Sequence, residues 1–262
     1  MPPRIFITAS THPGLGRDGH NEDAICAGKW FANRTLWAPW RAQLSLDRPI
    51  LCAIADGMGG HAAGEVASEA VLRSLSARAG RMAEPLEIER AVDDADRALR
   101  DRMAAAPELG GMGTTLVGML LAPDGLLWFN IGDSRLYRVR DGFLRQLSTD
   151  DVPPSPEDDG GRRRTSVLIA SLGGPPLQER LDPHVGMERP LLAPSRWLLC
   201  SDGVTDMLDR SAMETALQGN DLEAWVSLFG QVMDAGAEDN FSIMLISIEA
   251  DSDEELEDRD GR

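Results

Sequence analysis

The chain has 262 residues, 42% of them apolar, which is enough for one large domain or two small ones. Its 26 Lys and Arg residues face 43 Asp and Glu residues, so the net charge is −17. Such a surface repels nucleic-acid phosphates and anionic lipids, and 5% aromatic residues are few for base stacking. The chain start does not read as a signal peptide, and no run reaches the roughly 18 apolar residues of a membrane span. We therefore predict a cytoplasmic protein that binds neither nucleic acid nor membranes.

The cysteines Cys26, Cys52 and Cys200 each lie in or beside an apolar run. An odd number of cysteines in apolar surroundings predicts buried thiols in a reducing compartment, without a disulfide framework. None of the three is followed by Arg six positions later, so the reactive loop of cysteine-dependent phosphatases is absent.

The first half of the chain predicts strands followed by two helices. Residues 4–9, 24–27 and 50–55 are strand-like, and we expect the third, continuously apolar run to stop at Asp56-Gly57. Residues 29–48 contain three tryptophans without a clear period, which indicates an inserted loop or hairpin.

Two amphipathic helices are expected next, each over one side of a sheet. Residues 65–78 predict the first, with an apolar stripe, and Pro85 is suited to the first position of the second. The stripes consist of Val66, Ala70, Val71 and Leu75 in the first helix, and Ile88, Val92, Ala95, Leu99 and Met103 in the second.

The second half predicts short strands joined by hairpins. Turn sequences at Pro123-Asp124-Gly125 and Asp141-Gly142 each separate two apolar runs, and residues 150–164 predict a surface loop. A strand over 197–201, a helix over 222–233 and a strand over 241–248 follow. The mixture of hairpins and helices predicts an α+β fold with antiparallel sheets covered by helices. The acidic block 249–262 is expected to be a disordered tail behind a single domain, 1–248.

Aspartates recur where these predicted strands begin or end. Asp56 and Asp202 each follow an apolar run and precede a glycine, and Asp239 precedes the last strand. For any one of them, a turn-forming role is the simpler interpretation. If the strands lie side by side, however, the carboxylates converge, and their mutual repulsion calls for a cation. All-oxygen ligands select Mg²⁺ or Mn²⁺ over zinc, and the histidines do not show zinc-ligand spacing.

Six motifs in the order of one family extend over residues 4–248, and together they resemble the bacterial metal-dependent Ser/Thr protein phosphatases of type 2C. Single Gly-rich motifs would mean little, but six in order are specific. They are Asn21-Glu22-Asp23-Ala24, Asp56-Gly57-Met58-Gly59-Gly60-His61, Gly111-Met112-Gly113-Thr114-Thr115, Gly132-Asp133-Ser134-Arg135, Ser201-Asp202-Gly203 and Glu238-Asp239-Asn240-Phe241-Ser242.

The resemblance implies a four-layer αββα sandwich, in which two antiparallel sheets lie face to face and helices cover both outer faces. It implies a site for two Mn²⁺ or Mg²⁺ ions at one edge between the sheets, with a third, weaker ion. The implied metal residues are Glu22, Asp23, Asp56, Gly57, Asp133, Asp202 and Asp239.

The resemblance also implies a role for each of these residues. Asp56 would bridge the two ions, the Gly57 carbonyl would bind one of them, and Asp202 and Asp239 would complete the other shell. Asp133, with Asp202, would hold the third ion. The carboxylates of the pair 22–23 would act through metal-bound waters.

The sequence departs from the family pattern at three places. The Arg that contacts substrate phosphate is expected where Asp18 stands, and a bulge at Gly19 would bring Arg17 to that place. The usual Asp-His-Ser is replaced by residues 150–152, Asp-Asp-Val, and the flap segment that follows is short. Met58 stands where eukaryotic relatives carry a proton-donating His, and His61 is offset from it.

The resemblance implies a protein phosphatase that hydrolyses phosphoserine and phosphothreonine through a metal-activated water. We expect it to oppose a bacterial Ser/Thr kinase in signal transduction and to be a monomer. Two alternatives share the fold: a catalytically silent pseudophosphatase that binds phosphoproteins, and a phosphatase of an anti-sigma-factor antagonist. The complete set of Asp56, Asp202 and Asp239 argues against the first, and the lack of spare length for a sensory domain argues against the second.

Overall fold

The computed structural model describes residues 3–16, 18–59, 63–153, 167–174 and 181–249. Their β-strands form two antiparallel sheets, and their α-helices cover the outer faces. The strands are β1 Arg4–His12, β2 Asp23–Ala27, β3 Trp30–Ala32, β4 Trp40–Ser45, β5 Ile50–Met58, β6 Gly113–Thr114, β7 Leu116–Ala122, β8 Gly125–Ile131, β9 Arg135–Arg140, β10 Phe143–Gln146, β11 Leu172–Gly173, β12 His184–Glu188, β13 Ser195–Cys200 and β14 Phe241–Ile248. The helices are α1 Ala63–Arg78, α2 Pro85–Ala105, α3 Asp202–Thr205, α4 Arg210–Ala216 and α5 Asp221–Asp234, with short 3-10 turns at Ala79–Arg81 and Pro107–Leu109.

One sheet has six strands in the order β10-β9-β13-β14-β1-β4. The other has eight: β11-β6-β5-β7-β8-β12 form its main path, β2 pairs with β5, and β3 pairs with β2. All of the pairings are antiparallel. Within the described ranges, no helix is long and apolar enough to cross a membrane.

Three apolar cores separate four layers. Inward-facing side chains such as Ile7, Trp197 and Ile54 fill the space between the two sheets. A second core joins α1 and α2 to the eight-stranded sheet, and a third joins α3, α4 and α5 to the six-stranded sheet. The predicted four-layer αββα sandwich is therefore confirmed.

The helix at residues 85–105 confirms the prediction from its sequence. Pro85 occupies the first turn, and Ile88, Val92, Ala95 and Leu99 are buried against the sheet. Met103 is only partly buried and packs against the same core. The first helix, α1, begins two residues earlier than predicted, and its buried face is rotated: Ala67 and Leu72 are buried, whereas the predicted Val66 and Ala70 are only partly covered.

Two of the predicted elements are wrong in detail. The strand that begins at Ile50 does not stop at Asp56-Gly57 but continues to Met58, because Gly57 and Met58 still pair with β6. Residues 29–48 are not a local hairpin, since β3 pairs with β2 in one sheet and β4 pairs with β1 in the other. The Trp30 and Trp40 rings stack across this crossing, with centroids 4.1 Å apart.

Both predicted hairpin turns are present. Ala122 pairs with Gly125 across Pro123-Asp124, and Phe143 pairs with Arg140 across Asp141-Gly142. Asp141 and Gly142 both have positive φ, the conformation that a two-residue hairpin of this type requires. The loop 150–164 and the tail 249–262 lie outside the described residues apart from 150–153 and Glu249.

Candidate metal centre

Asp56, Asp202 and Asp239 line one cavity of about 590 Å³ at the edge between the two sheets. The sequence suggested that the strands next to these aspartates lie side by side, but they belong to two different sheets. Asp202 follows β13 and Asp239 precedes its neighbour β14, whereas Asp56 lies in β5 of the opposite sheet. The carboxylates meet because the two sheets are stacked. Further residues that line the cavity are Gly16, Asp18, His20, Glu22, Gly57, Met58, Gly59, Thr115, Asp133, Leu168 and Asn240.

Gly57 brings three chain segments together at the floor of this cavity. Its N–H donates to the Glu22 carbonyl at 3.2 Å. A Cβ at Gly57 would lie 2.2 Å from the Gly64 carbonyl oxygen and 2.6 Å from that of Glu22. No side chain fits there, so glycine is required for β2, β5 and the start of α1 to approach one another.

The Asn240 side chain fixes the loop that leads into β2. Its Oδ1 accepts from the Glu22 N–H at 2.8 Å, and its Nδ2 donates to the carbonyls of Pro13 and His20 at 2.9 and 2.7 Å. Glu22 and Asp239 are thus held next to each other by one amide. Asn240 had no predicted role, although it lies directly beside Asp239 in the sequence.

Asp23 lies behind the cavity wall and is not among the residues that line it. Its side chain is fully buried, and Oδ2 accepts hydrogen bonds from the hydroxyls of Ser201 and Ser242 at 2.7 and 2.6 Å. The predicted role of Asp23 through metal-bound water therefore stays a prediction. The two serines were missed, although hydroxyls within apolar strands were a possible signal.

The Asp56 backbone is held by two threonines of the Gly-Met-Gly-Thr-Thr motif. The Asp56 N–H donates to Thr115 Oγ1 at 3.1 Å, and Thr114 Oγ1 donates to the Asp56 carbonyl at 2.9 Å. Thr115 in turn shares a hydrogen bond of 2.8 Å with the Ser134 hydroxyl, which follows Asp133. These contacts tie Asp56 to the chain segment that carries Asp133.

Burial and neighbouring charges raise the pKa values of Asp56, Asp202 and Asp23. Burial raises the pKa of Asp202 to about 6, and the charges of Asp206 and Asp239 act in the same direction. The pKa of Asp56 is raised well above its usual range by burial and then by the charges of Asp23 and Asp202. Burial also raises the pKa of Asp23 to about 7. Each of these carboxylates is therefore harder to ionise than a free one, and a nearby cation would favour its charged form.

The donor set fits a hard divalent cation. Every cavity group named as a ligand offers oxygen, and Asp202 Oδ1 and Asp23 Oδ1 are buried without a hydrogen-bond partner among the described residues. Within those same ranges, no three His, Cys, Asp or Glu side chains form a ready-made coordination shell. Six of the seven predicted metal residues line the cavity, and the ligand set itself stays a prediction.

The loop that precedes β2 has a tight bend at the predicted place. Asp18 and Gly19 both have positive φ, at 49° and 79°. Arg17, the predicted phosphate contact, lies outside the described residues, as does His61. Upstream of the bend, Leu15 donates its N–H to the Ala237 carbonyl at 2.7 Å, so the loop packs against the turn before Asp239.

The three cysteines are free and buried, as predicted. Burial raises the pKa of Cys26 and of Cys200 to about 12, and it also raises the pKa of Cys52. Such thiols are protonated near neutral pH and are poor nucleophiles.

A second cavity, of 1190 Å³, lies at the opposite end of the six-stranded sheet. Its lining includes Arg41, Arg196 and Asp221, and none of the predicted metal residues. Arg196 is engaged there by Asp221 and by the Leu217 carbonyl, at 2.8 and 2.7 Å. These contacts hold α4 and α5 to the sheet, which gives this second cavity a structural explanation. The candidate metal centre is therefore the first cavity, which the predicted metal residues line.

The two stacked sheets bring several carboxylates to one cavity, an arrangement that suits a divalent cation. The family model described as Protein phosphatase 2C matches residues 40–248 of the chain. The chain therefore belongs to the protein phosphatase 2C family.

Individual relatives agree with this family. The chain is 34% identical over 213 residues to the serine/threonine protein phosphatase PstP of Mycobacterium tuberculosis, covering 76% of this chain but 40% of that protein. It is 32% identical over 245 residues to the serine/threonine phosphatase stp of Listeria monocytogenes, covering 87% and 90%. The chain thus spans about two fifths of the mycobacterial relative's length.

Solved structures extend the similarity to the fold. The crystal structure of the M. tuberculosis phosphatase PstP/Ppp superposes with a TM-score of 0.77 at 31% identity, covering 94% of this chain and all of that one. A second structure, of the PstP catalytic domain in complex with two manganese ions, has a TM-score of 0.74 at 31% identity, over 94% and 100% of the chains.

Proposed function

We propose that the chain is a metal-dependent protein phosphatase that hydrolyses phosphoserine and phosphothreonine with water as the nucleophile. The observation that carries this proposal is the meeting of Asp56, Asp202, Asp239 and Asp133 at one cavity, from two stacked sheets. Membership of the protein phosphatase 2C family supports it, as do the names of the relatives from Mycobacterium and Listeria.

The proposed cofactors are two Mn²⁺ or Mg²⁺ ions, with a third, weaker ion. When bound, such ions neutralise phosphoryl charge and acidify water enough for it to act as a nucleophile near neutral pH. By resemblance to the family, Asp56 is proposed as the ligand that the two ions would share. Asp202 and Asp239 approach from the six-stranded sheet, and the Gly57 carbonyl approaches from the opposite sheet.

The remaining proposed roles belong to groups around these ligands. Glu22, on the loop that Asn240 holds, and Asp23 are both proposed to act through metal-bound waters. Asp133 is proposed as the ligand of the third ion, and Arg17 as the contact to substrate phosphate. Water can attack phosphorus directly without a covalent enzyme intermediate, which agrees with buried cysteines of raised thiol pKa.

The proposed setting is bacterial signal transduction in the cytoplasm, where the chain acts as a monomer and opposes a Ser/Thr kinase. Buried, free thiols suit a reducing compartment. A pseudophosphatase that only binds phosphoproteins is not favoured, because the carboxylates remain together at the cavity.

The experiment is an assay of purified protein on a phosphothreonine peptide, with Mn²⁺ and then with excess EDTA. We expect phosphate release that needs the metal and that returns when Mn²⁺ is added back. Tight peptide binding without phosphate release, under conditions where Mn²⁺ binds, would instead identify the pseudophosphatase.

A further inference from the structure

Asp151 forms two hydrogen bonds with the backbone of Gly132. Its backbone N–H donates to the Gly132 carbonyl at 3.0 Å, and its Oδ2 accepts from the Gly132 N–H at 2.8 Å. Both polar main-chain groups of Gly132 are therefore bonded to Asp151. Gly132 directly precedes Asp133, so the two contacts fix the chain at the point where that carboxylate enters the cavity.

Gly132 depends on these contacts because it lies just beyond the end of β8. Its φ is +95°, and a Cβ there would lie 2.8 Å from the Thr115 side chain. A left-handed glycine outside the sheet has no strand partner to hold its backbone. Asp151 provides that partner.

Two further contacts of Asp151 reach the other side of the cavity wall. Its carbonyl accepts from the Ile169 N–H at 2.9 Å, and the preceding residue, Leu168, lines the cavity. Its Oδ1 forms a hydrogen bond of 2.9 Å with His184 Nε2 on β12. The Asp151 side chain is 14% exposed, so the carboxylate is largely shielded from water.

The neighbouring Asp150 has a separate set of partners. It accepts from Arg135 Nε at 2.9 Å and from Gln146 Nε2 at 2.7 Å, both on strands of the six-stranded sheet. Asp151 instead contacts the eight-stranded sheet. The two adjacent carboxylates therefore hold the segment across both sheets, and Asp151 contacts Gly132, the residue that precedes Asp133.

We propose that Asp151 is a positioning residue of the metal centre: its carboxylate and backbone hold Asp133 on one side and Leu168 on the other in a fixed relation. This inference rests on the proposed function for the role of Asp133 as a ligand. The residue acts through Gly132 and Ile169, and it is not among the residues that line the cavity.

The test compares four variants with the parent protein: Asp151→Ala, Asp151→Asn, His184→Ala and Asp182→Ala. In Asp151→Asn, the amide oxygen can accept from Gly132 and the amide nitrogen can donate to His184, so this variant should retain the contacts. His184→Ala removes only the outer contact. Asp182 is an exposed carboxylate close to β12, and its removal controls for charge.

The first readout is hydrogen exchange in metal-free protein, and the second is Mn²⁺ binding by titration calorimetry. Asp151→Ala should speed exchange at Gly132 by about tenfold, because the Gly132 N–H loses the carboxylate that accepts its hydrogen bond, while β14 amides stay unchanged. The Ile169 N–H keeps the backbone carbonyl of residue 151 as its acceptor, so its exchange should rise less. The weakest Mn²⁺ binding step should weaken several-fold. Asp151→Asn, His184→Ala and Asp182→Ala should each resemble the parent protein.

The proposal is overturned if Asp151→Ala exchanges and binds Mn²⁺ like the parent, or if exchange accelerates equally in β14, which would mark a general fold-stabilising residue. Should that variant fail to fold, Asp151→Glu, which retains the charge but displaces the carboxylate, must show the same local losses. Neither readout needs hydrolysis. A parent protein that releases no phosphate would therefore refute the proposed function, while these measurements would still test Asp151.

Discussion

Gly203 and Gly230 both lie in helices, but their surroundings are opposite. A Cβ on Gly203 would lie 2.1 Å from the Asn240 carbonyl oxygen, which belongs to backbone and cannot step aside. A Cβ on Gly230, in α5, would meet nothing within 4 Å. Helix propensity alone would favour alanine at both places, so the difference comes from packing near the cavity.

Gly203→Ala is expected to push the Asn240 backbone away and with it the hydrogen bond that holds Glu22. Phosphatase activity should fall at least about tenfold and the melting temperature should drop. Gly230→Ala is the matched control, which should leave activity unchanged and stabilise the fold by about 0.5–1 kcal/mol. Kinetics and thermal melting of both variants test this, and equal behaviour of the two would contradict the packing argument.

Asp56→Ala separates catalysis from folding. Loss of the proposed bridging ligand should lower Mn²⁺-dependent turnover on the order of 1,000-fold. In EDTA, the melting temperature should stay the same or rise, because a buried carboxylate that is repelled by Asp23 and Asp202 has gone. Asp182→Ala is the surface control. Turnover near that of the parent would refute the assignment of Asp56.

At the scale of elements, the periodicity of apolar residues predicted the helices and strands that bury one apolar face. Strand β14 is found at the predicted residues 241–248, and α2 begins at Pro85. The short β11 and β12 and the helix α4 were missed: β11 has two residues, too few for a pattern, and none of the β12 residues is fully buried. A local sequence pattern does not show which strands pair, because that pairing depends on how the sheets assemble.

The candidate site was predictable as a set of residues and not as an arrangement. Motif resemblance named Asp56, Asp133, Asp202 and Asp239, and all of them line the cavity. That Asp56 reaches the others across two sheets, and that Asp23 is buried behind them, depends on sheet stacking. The supporting hydroxyls and amides were not predicted for the same reason, since their partners are distant in sequence.

The capping box of α2 gives a prediction for a whole element. The Glu87 carboxylate accepts from the N–H groups of Ala83 and Glu84 at 2.6 and 3.1 Å, which closes the helix start. Glu87→Ala should lower the free energy of unfolding by about 0.5–2 kcal/mol and leave catalysis unchanged, because α2 covers an outer face. Glu89→Ala on the same helix is the control. Denaturant unfolding of both variants tests the difference, and equal losses would show that the box contributes nothing.

At the scale of the molecule, the buried carboxylates connect folding to metal and pH. Burial raises the pKa of Asp23 to about 7 and of Asp202 to about 6 in the fold, above the usual value near 3.8. Well below pH 3.8, folded and unfolded chains both hold these protons. As the pH rises toward 7, the unfolded chain releases protons that the fold retains, so these groups lower the free energy of unfolding.

Metal-free protein should therefore lose thermal stability between about pH 5 and pH 7.5, and Mn²⁺ should restore more of it at the higher pH. The reason is that a cation binds the ionised form of the carboxylates. At pH 5 the metal must displace protons from them, whereas at pH 7.5 it displaces fewer. Melting temperatures at both values, in EDTA and in Mn²⁺, measure this. Asp23→Asn should flatten the pH dependence in EDTA, whereas Asp182→Asn should leave it as in the parent protein. A Mn²⁺-induced shift of equal size at both pH values would show that the buried carboxylates do not bind the metal as anions.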